Sequence, residues 1–194
     1  MKFFPDRRKL LDRLRSCGAA LQTRVERRVY RFVKPQYTST ADQFAGMGAR
    51  FADGRWLLHG GRLVTYTSLL PETALSEALA ANRYYGFPDE RAAPLVFVTA
   101  EVRLRNVVDL RNGSVRQRLR LSEATIIETD WRADNLRGQE SMTEAWGWAF
   151  GEWGVEGFLC RSAAARGGSN LIVFPENLRA GSRVRVLNEV EWPR

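Results

Sequence analysis

One histidine and two cysteines among 194 residues remove several kinds of chemistry from the start. His59 alone cannot supply a histidine-based zinc set, and a lone histidine weakens any Ser–His hydrolase reading. Cys17 and Cys160 are too few for a disulfide framework and lack metal-ligand spacing, so no metal is expected. Lysine is nearly missing as well: Lys2, Lys9 and Lys34 leave arginine to carry almost all of the net charge of +8. No apolar run approaches the ~20 residues that cross a bilayer. The basic first 32 residues also lack the continuous apolar segment of a secretory leader. A cytoplasmic chain without a membrane role is the expectation.

What is present describes a folded domain. Hydrophobic residues make up 44% of the chain, which argues against disorder. The length suits one domain with a sizeable core, and no linker, repeat or low-complexity tract divides it. The positive charge invites nucleic acid, a phosphate-bearing ligand or an acidic protein partner. It is spread along the chain without a dense basic block, so direct nucleic-acid binding is not expected.

The hydrophobic pattern predicts a helix over residues 5–27, where Leu10, Leu11, Leu14 and Leu21 recur near helical spacing. Strands are expected at 28–33, 63–68 and 93–104. A helix at 71–85 has Pro71 and Glu72 in its first turn. Ser114 with Gln117 suggests a capping box for a short helix at 114–121, and a further helix spans 139–153. Strands follow at "GFLC", "NLIVF" and "RVRVLNEVEW". Helices and strands are segregated, which predicts an α+β domain with a central mixed or antiparallel sheet and flanking helices.

Several residues have both a plain and a functional reading. Glu77 sits mid-helix among Thr73, Ala74, Ala80 and Ala81. It is either a solvated carboxylate or one with room to accept a hydrogen bond from a sugar hydroxyl. Ser162 belongs either to an ordinary polar turn or to a hydrogen-bonding site; without a base beside it, it is a poor nucleophile. Arg31 lies within a strand and needs a partner if buried; with Arg55 it can grip a phosphate. Tyr66 and Trp56 read first as core aromatics, and His59 as structural or solvent-facing. The stretch "GARFADGRWLLHGGRLVTYTS" is either a surface turn or a ligand-facing loop in which Gly54, Gly60 and Gly61 let backbone approach closely.

Taken in order, "VYRFV", "GRW", "YTS", the alanine-rich helix carrying glutamate, and "GFLCRSAAARGGSNLIVF" resemble the RES-domain family. The resemblance covers residues 28–194, with residues 1–27 as an N-terminal helical extension. Arg161 departs from the family pattern, which often has proline before the late serine. The resemblance implies an ADP-ribosyltransferase-like fold and a toxin of a bacterial toxin–antitoxin pair, with an Xre-type antitoxin as partner. It further implies breakage of the nicotinamide–ribose bond of NAD⁺, which is the substrate and not a resident cofactor. It carries the site to Arg31, Arg55, Tyr66, Glu77 and Ser162, with Asn170 beside them; "GRW" favours Arg55 over Arg50. ADP-ribosyl transfer to a macromolecule uses the same residues, and a non-catalytic basic module is the reading from another class. Whether the chain forms a homo-oligomer is open.

Overall fold

The structure, a computed structural model, describes residues 1–37 and 43–192, with side chains through Leu187. The first helix, α1 (Arg7–Cys17), is shorter than the leucine pattern predicts. Gly18 takes φ 58°, residues 18–21 form a 3₁₀ turn, and β1 (Gln22–Val33) starts where a helix was expected. The cause is local: Thr23, Val25 and Val29 are β-branched, and burial of Val25 and Val29 inside the sheet outweighs helical periodicity. Leu21 is still buried, at the turn between the two elements.

Five strands close on one another. Strand β1 runs antiparallel to β3 (Leu95–Asp109), from Gln22 opposite Val108 to Val33 opposite Val96. Its other edge meets β2 (Thr65–Ser68) where Tyr30 faces Ser68. Strand β2 continues antiparallel to β5 (Ser169–Val173), and β5 to β4 (Gly157–Arg161). Strand β4 then runs parallel to the end of β3, Val107 opposite Gly157, which completes the ring. The first part of the same β3 edge pairs with β6 (Arg183–Trp192), so this long strand divides its edge between two partners. One parallel pairing among antiparallel ones makes the sheet mixed, as the segregated pattern predicts.

Strands β4 and β5 are buried on both faces, which explains their unbroken apolar runs. Leu159, Leu171 and Val173 point into the ring with Val25, Val29 and Val102. Phe158, Cys160 and Ile172 point out of it, onto α1 and α6 (Met142–Trp153). Trp56, Phe150 and Phe158 interlock there, at centroid distances of 4.9 and 4.7 Å around Phe158. Helix α6 begins at a complete capping box of Ser141 and Glu144 and ends at Gly154.

The predicted helix at 71–85 is α2 (Pro71–Tyr84), and the one at 114–121 is α3 (Gly113–Leu119). The cap of α3 is Asn112, whose side chain accepts from Ser114 N–H, and not the expected Ser114–Gln117 box. Two further helices, α4 (Glu123–Glu128) and α5 (Trp131–Leu136), lie where the sequence pattern suggests none.

Candidate active site

Strands β1 and β2 part company at Tyr30 and Ser68, and α2 covers the crevice so formed. Ser68 lies opposite Asn170 of β5, and its hydroxyl donates to Asn170 Oδ1 at 2.8 Å. That bond fixes which way the amide points, so Asn170 Nδ2 donates to Glu77 Oε1 at 2.6 Å. Ser162 Oγ donates to the same carboxylate oxygen, also at 2.6 Å. The serine oxygen itself accepts from the backbone N–H groups of Ala164 and Ala165. Its proton and its lone pairs are thus all engaged, and Ser162 is arranged as a donor to Glu77, not as a nucleophile. The loop carrying Ser162 reaches α2 because residue 168 is glycine: a Cβ there would lie 2.7 Å from Thr73 Oγ1.

Glu77 opens onto a cavity of about 650 Å³, also lined by Arg31, Arg55, Tyr66 and Asn170. Arg31 donates through Nη1 to the Gln43 carbonyl, and its Nε has no partner among the described residues. Burial draws its guanidinium down to about 10, which leaves it charged at neutral pH. Arg55 donates through Nη1 to the carbonyls of Ile126 and Thr129, capping the end of α4. Burial lowers its pKa, and the Glu77 carboxylate opposes that shift. Arg50, by contrast, is exposed and does not line the cavity.

Tyr66 accepts a hydrogen bond from Trp56 N–H at 3.1 Å, and burial raises its phenol well above the usual value. A Cβ on Gly54 would lie 2.6 Å from the phenol oxygen, so the glycine lets the 54–57 turn seat against this ring. Residues 53–56 of the glycine-rich stretch therefore face the cavity, as do Tyr66, Thr67 and Ser68 at its end. Its middle does not: Gly60 and Gly61 border a second cavity of about 400 Å³ on the other side of Trp56. His59 is exposed and pairs with Asp53 at 2.7 Å.

Some cavity residues have no counterpart in the sequence reading. Arg83, Tyr84, Trp131 and Arg132 line the cavity from the ends of α2 and α5. Arg161, the residue that replaces proline, lines it as well and makes only long contacts, 3.4 Å to the Gly167 carbonyl and 3.5 Å to Ser169 Oγ. Only the abundance of arginine hinted at them, and the short helix α5 carries no apolar periodicity to betray its place.

Five arginines against Glu77 and Asp53 make the cavity suited to an anionic ligand. Cys160 is buried with its thiol pushed far up, which leaves it inert. Among the described residues no group of three or more His, Cys, Asp or Glu side chains gathers to hold a metal ion. No helix among them is long and apolar enough to cross a membrane.

The chain matches the family described as RES domain over residues 28–194, and it belongs to that family. Among solved structures it is similar to a chain of the M. tuberculosis MbcT–MbcA toxin–antitoxin complex, with a TM-score of 0.74 at 20% sequence identity. That similarity covers 94% of this chain and 91% of the other. Among curated proteins none matches the sequence.

Proposed function

We propose that the chain is the toxin of a bacterial toxin–antitoxin pair and that it degrades NAD⁺ by cleaving the nicotinamide–ribose bond. The observation that carries this reading is the Glu77 carboxylate, held by Ser162 and Asn170 beside an arginine-lined cavity. Family membership and the likeness to a toxin–antitoxin structure support it.

The chemistry needs little else. Nicotinamide leaves as a neutral molecule, taking the electron pair of the C1′–N bond onto its ring nitrogen, so no acid is required. Positive charge grows on the ribose, as in glycoside cleavage. A fixed carboxylate beside the ribose opposes that charge and accepts a hydrogen bond from a ribose hydroxyl. Donors converging on one carboxylate oxygen hold Glu77 in place, so little reorganisation accompanies the reaction. Arg31 and Arg55 hold the pyrophosphate, and Tyr66 packs on the nicotinamide or its ribose. The acceptor, water or phosphate, supplies a lone pair to C1′ and releases a proton to solvent. An Xre-type antitoxin would restrain the toxin by covering the cavity, in the cytoplasm where NAD⁺ is plentiful.

The test is incubation of antitoxin-free protein with NAD⁺, following free nicotinamide for wild type and Glu77→Gln. Wild type should release nicotinamide, and the variant should lose about 10²–10³-fold in rate while melting normally. The second product identifies the acceptor: ADP-ribose, its phosphate ester, or a labelled macromolecule. NAD⁺ left intact with water, phosphate and candidate proteins all supplied would rule the reading out.

A further inference from the structure

Glu77 and Tyr84 stand seven residues apart on α2, on one helix face and about 10 Å apart along the axis. Ala80 and Ala81 lie between them, so the cavity continues as a smooth groove from the carboxylate to its mouth. At the mouth the surroundings change. The Tyr84 hydroxyl donates to the Asp130 carboxylate, at 3.0 and 2.9 Å from its two oxygens, which staples the end of α2 to the start of α5. Asp130 also caps α5 by accepting from Ala133 N–H. The Arg132 guanidinium lies 4.9 Å from the Tyr84 ring centroid and 4.3 Å from that of Trp131.

This group is aromatic, carries the Arg132 cation against both rings and the Asp130 carboxylate beside it, and is only partly covered. Tyr84 is 43% exposed. Arg132 forms no ion pair among the described residues, and its charge acts on Arg55, which in turn interacts with Glu77. Cations therefore continue outward from the carboxylate to a stacking platform, a distance that a pyrophosphate and a second ribose bridge. A purine is the natural occupant: every base has a π-face for the rings, and guanidinium stacks on it as well.

We propose that Tyr84, Trp131 and Arg132 form an adenine-binding subsite at the cavity mouth. The proposal rests on the NAD⁺ reading for the rest of the ligand, but it is tested without it. AMP, which contains no nicotinamide, reports the subsite whether or not NAD⁺ is cleaved. Titrated into the wild-type protein, AMP should bind with heat release and quench tryptophan fluorescence. Arg132→Ala and Trp131→Ala should each weaken AMP binding about 10-fold or more, the loss expected for a base-stacking contact. Thermal melts confirm folding, and Arg132→Ala, a change of a partly exposed side chain, keeps the test open if Trp131→Ala is unstable. In the cleavage assay the preference of kcat/KM for NAD⁺ over nicotinamide mononucleotide should collapse in both variants. AMP that does not bind, or that binds the folded variants as tightly as wild type, overturns the subsite even if NAD⁺ is cleaved. Intact, variant-sensitive AMP binding without NAD⁺ cleavage upholds the subsite and overturns the reaction.

Discussion

Ser162 Oγ lies 2.6 Å from Glu77 Oε1, although 85 residues separate the two in sequence. With both of its lone pairs given to backbone N–H groups, the serine can offer the carboxylate only a proton. A hydrogen bond to a charged group contributes about 1.5–3 kcal/mol. Ser162→Ala should therefore slow NAD⁺ cleavage about 10–100-fold, less than Glu77→Gln, because Asn170 still donates to the same oxygen. Steady-state rates of Ser162→Ala, Asn170→Ala, the two combined and Glu77→Gln measure this. The double variant should lose more than the sum of its two singles, because each donor partly stands in for the other. A Ser162→Ala enzyme with wild-type kcat would reduce the serine to a loop-ordering role.

Much of this site was legible because its members sit in elements with strong local signals. Arg31 is in a β-branched strand, Glu77 in an alanine-rich helix behind a proline, and Ser162 and Asn170 flank a Gly-Gly turn. The mouth was not legible. Helix α5 has six residues, is set by the Asp130 cap and buries none of its residues fully, so hydrophobic periodicity cannot reveal it. The first helix failed for the opposite reason: leucine spacing ran on past Cys17, but valines that fill a sheet interior decided the chain's course. Closure of the strand ring is likewise a long-range matter, since β1 pairs with β3 from Gln22 opposite Val108 to Val33 opposite Val96.

Gly54 should tolerate no side chain. A methyl group at this position would stand 2.6 Å from Tyr66 Oη, well inside contact distance. Gly54→Ala should cost about 1–3 kcal/mol through overpacking, with cleavage impaired because Tyr66 is displaced. Tyr66→Phe removes the obstructing oxygen. Gly54→Ala should therefore lower Tm less in that background than in wild type. Equal Tm losses in both backgrounds would show that the strain lies elsewhere in the turn.

Glu144 gives a pH dependence. It is buried, and burial raises its carboxyl to about 7 despite donors from Ser141 and Asn135. Between the unfolded value near 4.5 and the folded one near 7, the folded state holds the extra proton. Stability should therefore fall as pH rises through that window and level off above it. Glu144→Gln keeps the acceptor of the capping box while removing the charge. It should raise Tm at pH 8 by several degrees and have little effect at pH 5, as read by thermal melts across that range. A Tm gain that is equal at both pH values would mean that the carboxyl does not titrate there.

The N-terminal helix tests where the folding unit begins. The family match starts at residue 28, which would make α1 an appendage. Its packing argues otherwise: Leu10, Leu11 and Leu14 are buried in the same cluster as Trp146, Phe150 and Phe158. Arg13 donates to the Leu119 carbonyl, and Phe4 N–H donates to the buried carboxylate of Glu140, so the segment is also tied down by polar contacts. Leu14 has no exposed surface, and Leu14→Ala leaves a cavity that costs about 2–5 kcal/mol. In urea the midpoint should shift down by that cost divided by the slope m, with the slope itself unchanged, since the same surface is exposed on unfolding. Removing residues 1–21 uncovers the whole apolar face of α6 beneath α1, and the shortened chain should lose its cooperative transition. A truncated protein that unfolds cooperatively at the wild-type midpoint would show that α1 is an attachment to a domain complete without it.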